Sequence, residues 1–292
     1  MRKKQVTKGT LKDATGVIRY TFLNNYMFIS ILERNLDVLK SLVCALLHID
    51  NSDEVTIEVL NPITYGDSPE SKTYILDIKL KLGDDSVLDI EMQVNNYGDY
   101  NYRATLYLCR AYDRLLKGEE YINSPKAVHI GFLDFDLFGG KDSEFYSRYL
   151  LKNVNTGYTF NDRFDMRIIR MNRWDRATEE DRKYDIDKWV KLFKAKTWEE
   201  LSMAATTMDM KNAAQKLYDA NRDEIEMYHA EAYEEFMREK ERHLRLSENY
   251  QKAKEELAEK EGLLADQRTQ LADQEKEIER LKALLKENKI EI

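Results

Sequence analysis

Asp77, Glu91 and Gln93 are the residues of this chain whose types and spacing can do chemistry. Each interrupts an apolar alternation. In 72–82, Leu76, Ile78, Leu80 and Leu82 occupy the even positions, and in 86–94, Leu88, Ile90, Met92 and Val94 do the same. Gly83-Asp84-Asp85 between them is a turn signal. The pattern predicts a β-hairpin with one buried face, and Asp77, Lys79, Asp89, Glu91 and Gln93 share the other face. A three-residue loop pairs 82 with 86 and therefore 77 with 91, which puts the two Cβ atoms roughly 5 Å apart. Carboxylates placed side by side raise each other's pKa, and a divalent cation removes that penalty. Hard oxygen ligands with room for water suit Mg²⁺ or Mn²⁺, which can activate water and neutralise charge on a phosphoryl group. Gln93 is placed to orient the water or the phosphate. By spacing alone, the same alternation also describes a solvated strand face.

The elements around the hairpin follow from periodicity. Phe22, Tyr26, Ile29 and Leu32, then Leu36, Leu39, Val43 and Leu46, predict helix over 20–48 with a break near Asn35. Residues 55–60 read as a strand and 61–71, with Pro62, Gly66 and Pro69, as a loop. Residues 99–118 return to helical spacing, with Tyr102, Leu106, Cys109 and Leu116 inward and Gly118 as the cap. Residues 126–138 read as a buried strand, 144–152 and 164–171 as further strands, and everything beyond Thr178 as helix. The order helix, strand, hairpin, helix, strand predicts an α/β sandwich around a mixed sheet.

The run ILDIKLKLGDDSVLDIEMQV resembles the hairpin of the recombination-promoting nuclease (Rpn) family, the transposase-associated PD-(D/E)XK group. NNYMF at 24–28 resembles that family's first helix, YRATLYLCRAYDRLLKGEEY at 102–121 its next helix, and VHIGFLDFDLF at 128–138 the following strand. DIDKWVKLFKAKTWEEL and YDANRDEIEMYHAEAYEEFMREKERHL resemble its helical C-terminal half, so the likeness spans roughly residues 20–260. It implies a restriction-endonuclease-like core in which Asp77 and Glu91 bind the metal and Gln93 takes the place of the usual lysine. The acidic residue of the family's first helix falls at Asn25, which offers an oxygen but no charge. Lys79, on the same face as Asp77, is placed to supply positive charge from the neighbouring strand. On this reading Gln93→Lys restores the usual residue and should keep or raise activity.

Arg103, Tyr107, Arg110, Arg114 and Lys117 recur at steps of 4, 3, 4 and 3 and form a stripe. It reads either as a solvated helix face or as a phosphate-contacting face beside the hairpin, and Arg103 matches the family's arginine. His129, inside an apolar strand, reads as a satisfied core histidine, and Trp174, Trp189 and Trp198 read as packing residues.

The chain has 292 residues and a net charge of −8, which counts against a general nucleic-acid-binding surface. Residues 1–50 carry 8 basic and 4 acidic groups, whereas 221–292 carry 14 and 20. Cys44 and Cys109, both in apolar helical patterns, suit reduced core thiols of a cytoplasmic protein. No signal peptide or membrane span is expected. In the C-terminal segment Leu257, Leu264, Leu271, Ile278 and Leu285 recur every seven residues, while Lys260, Gln267, Gln274, Leu281 and Asn288 make a mostly polar partner position. That predicts a long helix pairing as a parallel coiled coil of modest stability.

The expected organisation is a flexible N-terminus at 1–19, a PD-(D/E)XK nuclease-like α/β core at 20–172, a helical region at 173–220 and a long charged coiled-coil helix at 221–292. The expected function is Mg²⁺- or Mn²⁺-dependent DNA endonuclease activity tied to recombination or mobile elements, in a homodimer. The alternative is a weak or inactive nuclease fold serving as a DNA-binding or oligomeric module.

Overall fold

The computed structural model describes residues 10–64, 74–75, 77–113, 115, 117–141 and 143–287. Asn24 caps the first helix by accepting a hydrogen bond from the Met27 amide, and α1 (Asn25–Glu33) runs to a break at Arg34–Asn35, where the expected interruption falls. The second helix, α2 (Leu36–Leu47), ends on His48 in the left-handed region, φ 59°. β1 (Ile57–Leu60) follows, then the short strand β2 (Ile63–Thr64) inside the segment expected to be loop, paired with β3 (Tyr74–Ile75) at the start of the first expected hairpin segment.

The hairpin is β4 (Ile78–Leu82) and β5 (Val87–Gln93). Its register pairs Lys79 with Asp89 and Ile78 with Ile90, the phase that a three-residue loop dictates. A Cβ at Gly83 would collide with Thr56 Oγ1 unless that side chain shifted. α3 (Tyr100–Tyr112), β6 (Ala127–Leu133), β7 (Tyr146–Lys152) and β8 (Thr159–Arg170) complete the sheet, in the order β1-β4-β5-β6-β8-β7. β5, β6 and β8 run parallel and the remaining pairings are antiparallel, which makes the sheet mixed. The expected α/β class holds.

One face of the sheet carries Leu80, Ile90, Val128, Ile130 and Phe132 and packs against α1, α2 and the helices that follow. Those are α4 (Glu179–Lys183), α5 (Ile186–Lys194), α6 (Trp198–Ala204), α7 (Met208–Ala220) and α8 (Glu224–Glu287). Phe28 of α1, Phe132 of β6 and Phe193 of α5 meet ring to ring, with centroids 5.4–6.2 Å apart. The helical region after 172 therefore shares one core with the sheet. Residues 10–19 are also docked: Leu11 and Ile18 are buried, and Val17 bridges to Thr197.

The other face is where the sequence reading needs correction. Every residue of β5 is buried, so the hairpin has two buried faces rather than one. α3 covers the second face with Tyr100, Ala104, Leu108 and Ala111, whereas Tyr102, Leu106 and Cys109, expected inward, are exposed. Cys109 is thus no core thiol, while Cys44 is buried. The helix stops at Tyr112, before Gly118, and Leu116 lies outside the described residues.

Two compact units divide the chain, Met1–Tyr233 and Glu234–Ile292. The first turns of α8 belong to the first unit and bury Ala230 there. In the second unit the heptad residues Leu257, Leu264, Leu271 and Ile278 are exposed along the helix, and Leu285's side chain lies outside the described ones.

Candidate functional site

Strand pairing builds the site. β5 points Asp89, Glu91 and Gln93 towards α3, and β6 places His129 beside Asp89 and Gly131 beside Glu91. Asp77, just ahead of β4, accepts a hydrogen bond from the Met92 amide at 2.9 Å, which ties it to β5 at the level of Glu91. From the opposite side of the sheet's end, Asn25 in the first turn of α1 donates its Nδ2 to Asp77 Oδ1 at 2.8 Å. From α3, Arg103 reaches Glu91 Oε1 at 3.1 Å and Gln93 Oε1 at 2.5 Å with one Nη2. Asp77, Glu91, Gln93, Asn25 and Arg103 thus meet in one place although four elements supply them.

The electrostatics are those of a crowded acidic chamber. Burial, followed by the charge of Asp77, pushes Glu91 up to about 8. Burial pushes Asp77 up to about 6, against the pull of the Met92 amide and Asn25. The Asp77 residue as a whole is partly covered, but its carboxylate is enclosed. Three buried polar atoms here have no hydrogen-bond partner: Asn25 Oδ1, Glu91 Oε2 and Arg103 Nε. Such orphans are costly and call for an unseen partner.

That donor set fits a divalent ion of one kind. No group of three or more His, Cys, Asp and Glu side chains that could hold a metal occurs among the described residues, so an all-protein cage is not present. A small hard cation that keeps several waters needs only one or two carboxylates from the protein, and Asp77, Glu91 and the spare oxygens of Asn25 and Glu91 supply that.

The other expected residues separate. Tyr107 is partly buried and faces the chamber, with burial and Glu91 raising its phenol pKa. Lys79 is buried across from Asp89, two residues along the chain from Asp77. Arg110 is partly exposed on α3, Lys117 lies past the helix end, and Arg114 lies outside the described residues, so the five-residue stripe is not one helix face. Its first two members belong to the chamber instead.

The sequence of this chain matches the family described as PD-(D/E)XK nuclease family transposase over residues 23–259. The chain belongs to that family. A search of curated proteins and a search of solved structures return no match. Family membership agrees with the mixed six-stranded sheet and its helices. Nucleases of this class typically work with divalent metals.

Two residues at the chamber were given no functional role by the sequence. His129, read as a satisfied core histidine, is fully buried and satisfied, by Asp89 at 2.6 Å and the Tyr100 hydroxyl at 2.9 Å, yet its Nε2 is also 4.0 Å from Glu91 Oε2. Burial opposes its charge, but the Asp89 carboxylate, through charge and hydrogen bond, and the charge of Glu91 together raise its pKa. Tyr233, in the first turns of α8, hydrogen-bonds the Asn25 side chain, and burial pushes its phenol up to about 12. The signal for Tyr233 was the helical spacing of Glu226, Ala230 and Tyr233. Glu226 accepts from Tyr26 at 3.0 Å, and the Ala230 carbonyl accepts from Asn24 at 3.1 Å, so this face of α8 lies on α1.

Proposed function

We propose that the protein is a metal-dependent DNA endonuclease acting in recombination or on mobile elements, with Mg²⁺ or Mn²⁺ held by Asp77 and Glu91. One observation carries this reading: two enclosed carboxylates, both with pKa values raised by burial, share a chamber with orphaned oxygens. A divalent ion bound there would activate water and offset charge on the scissile phosphate. Asn25 holds Asp77 through its amide nitrogen and turns its free oxygen to the chamber. Gln93 and Arg103 are coupled, so the amide orients the guanidinium that meets the phosphate. Tyr107 and Arg110 extend the DNA-facing side.

A second reading, a weak or inactive nuclease fold kept as a DNA-binding or oligomeric module, is favoured by a specific contact. Arg103 already counters the charge of Glu91, and Asn25 brings no third carboxylate. Incubating the purified protein with supercoiled plasmid and Mg²⁺, Mn²⁺ or chelator separates the two. Nicking that needs metal and vanishes in Asp77→Ala and Glu91→Ala, both folded by circular dichroism, is the expected result. Metal-independent cleavage, or cleavage that survives the double substitution, overturns the site assignment.

The homodimer remains part of the proposal, through the heptad stripe of the second unit. Among the described residues no helix is long and apolar enough to cross a membrane.

A further inference from the structure

Beneath the chamber lies a buried polar chain that the nuclease chemistry leaves without a task. The parallel register of β5 and β6 sets Asp89 beside His129, and both are almost wholly out of solvent. His129 Nδ1 lies 2.6 Å from Asp89 Oδ2, and its Nε2 lies 2.9 Å from the Tyr100 hydroxyl. The ring is thus held at both nitrogens, by Asp89 at Nδ1 and by the Tyr100 hydroxyl at Nε2.

Tyr100 reaches His129 because of the next residue pair. Opposite Glu91 stands Gly131, and a Cβ there would overlap the Tyr100 hydroxyl and come within 2.8 Å of its Cζ. The glycine leaves the slot that the phenol fills, so the first turn of α3 is seated at one point over β6. One turn along the same helix, Arg103 lies against the Tyr100 ring, its Cζ 5.7 Å from the centroid. Arg103 then reaches Glu91 and Gln93. The chain from Asp89 to Arg103 is continuous, and a buried ion-bearing network of this kind is an expensive way merely to pack a helix.

We propose that Asp89, His129 and Tyr100, seated on Gly131, form a positioning relay that fixes where α3 carries the Arg103 guanidinium over Glu91 and Gln93. The three are positioning residues: they act through Arg103, and the proposal rests on the nuclease reading of the chamber for its effect on cleavage.

The test is Tyr100→Phe in the full chain, which keeps the ring and the stack and removes only the hydroxyl. Misplacing a charged group by a fraction of an ångström to one ångström costs on the order of 10- to 100-fold in turnover. The expected result is a fall of that size in kcat, with KM for DNA within about twofold, since a slightly displaced guanidinium still meets the ground-state phosphate but loses its fit to the transition state. Asp89→Asn, which touches neither Tyr100 nor Arg103, carries the same expectation and replaces Tyr100→Phe should that variant fail to fold. Tyr112→Phe, which removes another α3 hydroxyl, the one bonded to Asn161 outside the chamber, should be unchanged. A second readout needs no activity: the Arg103 Nη protons should give separate resonances in the wild type and averaged ones in the relay variants. An inactive wild type would defeat the nuclease reading while this spectrum still tests the relay. Wild-type kcat together with a wild-type Arg103 spectrum in either folded relay variant overturns the relay.

Discussion

Glu91 and Gln93 show how the chemistry of a side chain is set by its neighbours. By superfamily likeness, Gln93→Lys should have kept or raised activity. The structure argues the reverse, because Arg103 already delivers a cation to Gln93 Oε1 at 2.5 Å. A lysine there meets a like charge and loses the acceptor, so Gln93→Lys should lower plasmid nicking several-fold. Adding Arg103→Gln should recover part of it, since one cation then remains; a double variant no better than the single would rule out this exchange. The raised carboxylates also make a stability prediction. A group whose folded pKa lies above its unfolded one stabilises the fold in its protonated form. That contribution is fully present below the ordinary Glu value of 4.5 and is lost as pH rises through about 8 for Glu91, and through about 6 for Asp77. The melting temperature of the metal-free protein should therefore fall on going from mildly acidic to mildly alkaline pH, and Mg²⁺ should restore more of it at the alkaline end. A metal-free curve that rises over that window would show that the two acids ionise freely in the fold.

The phase of α3 is the clearest contest between pattern and packing. Tyr102, Leu106 and Cys109 make a plausible apolar stripe, but the arc that faces the sheet is Tyr100, Arg103, Ala104, Tyr107, Leu108 and Ala111. Its spacing is helical, and Tyr100, Arg103 and Tyr107 carry polar groups because the sheet face beneath them holds Asp89, Glu91, Gln93 and His129. Leu108 and Leu106 therefore test the assignment directly. Leu108→Ala should destabilise by roughly 2–5 kcal/mol, as buried leucine truncations do, whereas Leu106→Ala should stay within about 0.5 kcal/mol. Urea unfolding of both reads the difference, and a costlier Leu106 variant would return the helix to its expected phase.

Across the whole chain, the boundary of the first unit at Tyr233 changes what a truncation means. Glu226, Ala230 and Tyr233 are bound to α1, next to the chamber, so the start of α8 belongs to the catalytic unit. A chain cut after Ser247 keeps those contacts and should be folded, bind metal and nick plasmid. One cut after Asp223 loses them and should be less stable. If the exposed heptad stripe pairs two chains, the cut after Ser247 also takes the particle from two chains to one in light scattering and leaves fewer double-strand breaks. The same number of chains per particle for the full and shortened proteins would end the proposal that the tail dimerises the protein.

Periodicity alone determined the hairpin, its register and the α/β class, because the two-residue repeat of a strand leaves one phase that buries Ile78, Leu80, Leu88 and Ile90 together. The juxtaposition of Asp77 with Glu91 follows from that phase without any tertiary information. What covers the acidic face was decided only by the fold. Alternation of apolar and polar residues looks the same whether the polar face meets water or a helix bearing Arg103 and Tyr107. Likewise nothing local marks Asn25, Arg103, His129 and Tyr233 as neighbours, since they lie on separate elements far apart in sequence. Their meeting depends on the parallel β5–β6 register and on the docking of α1, α3 and α8 around it, which are long-range contacts that no short pattern encodes.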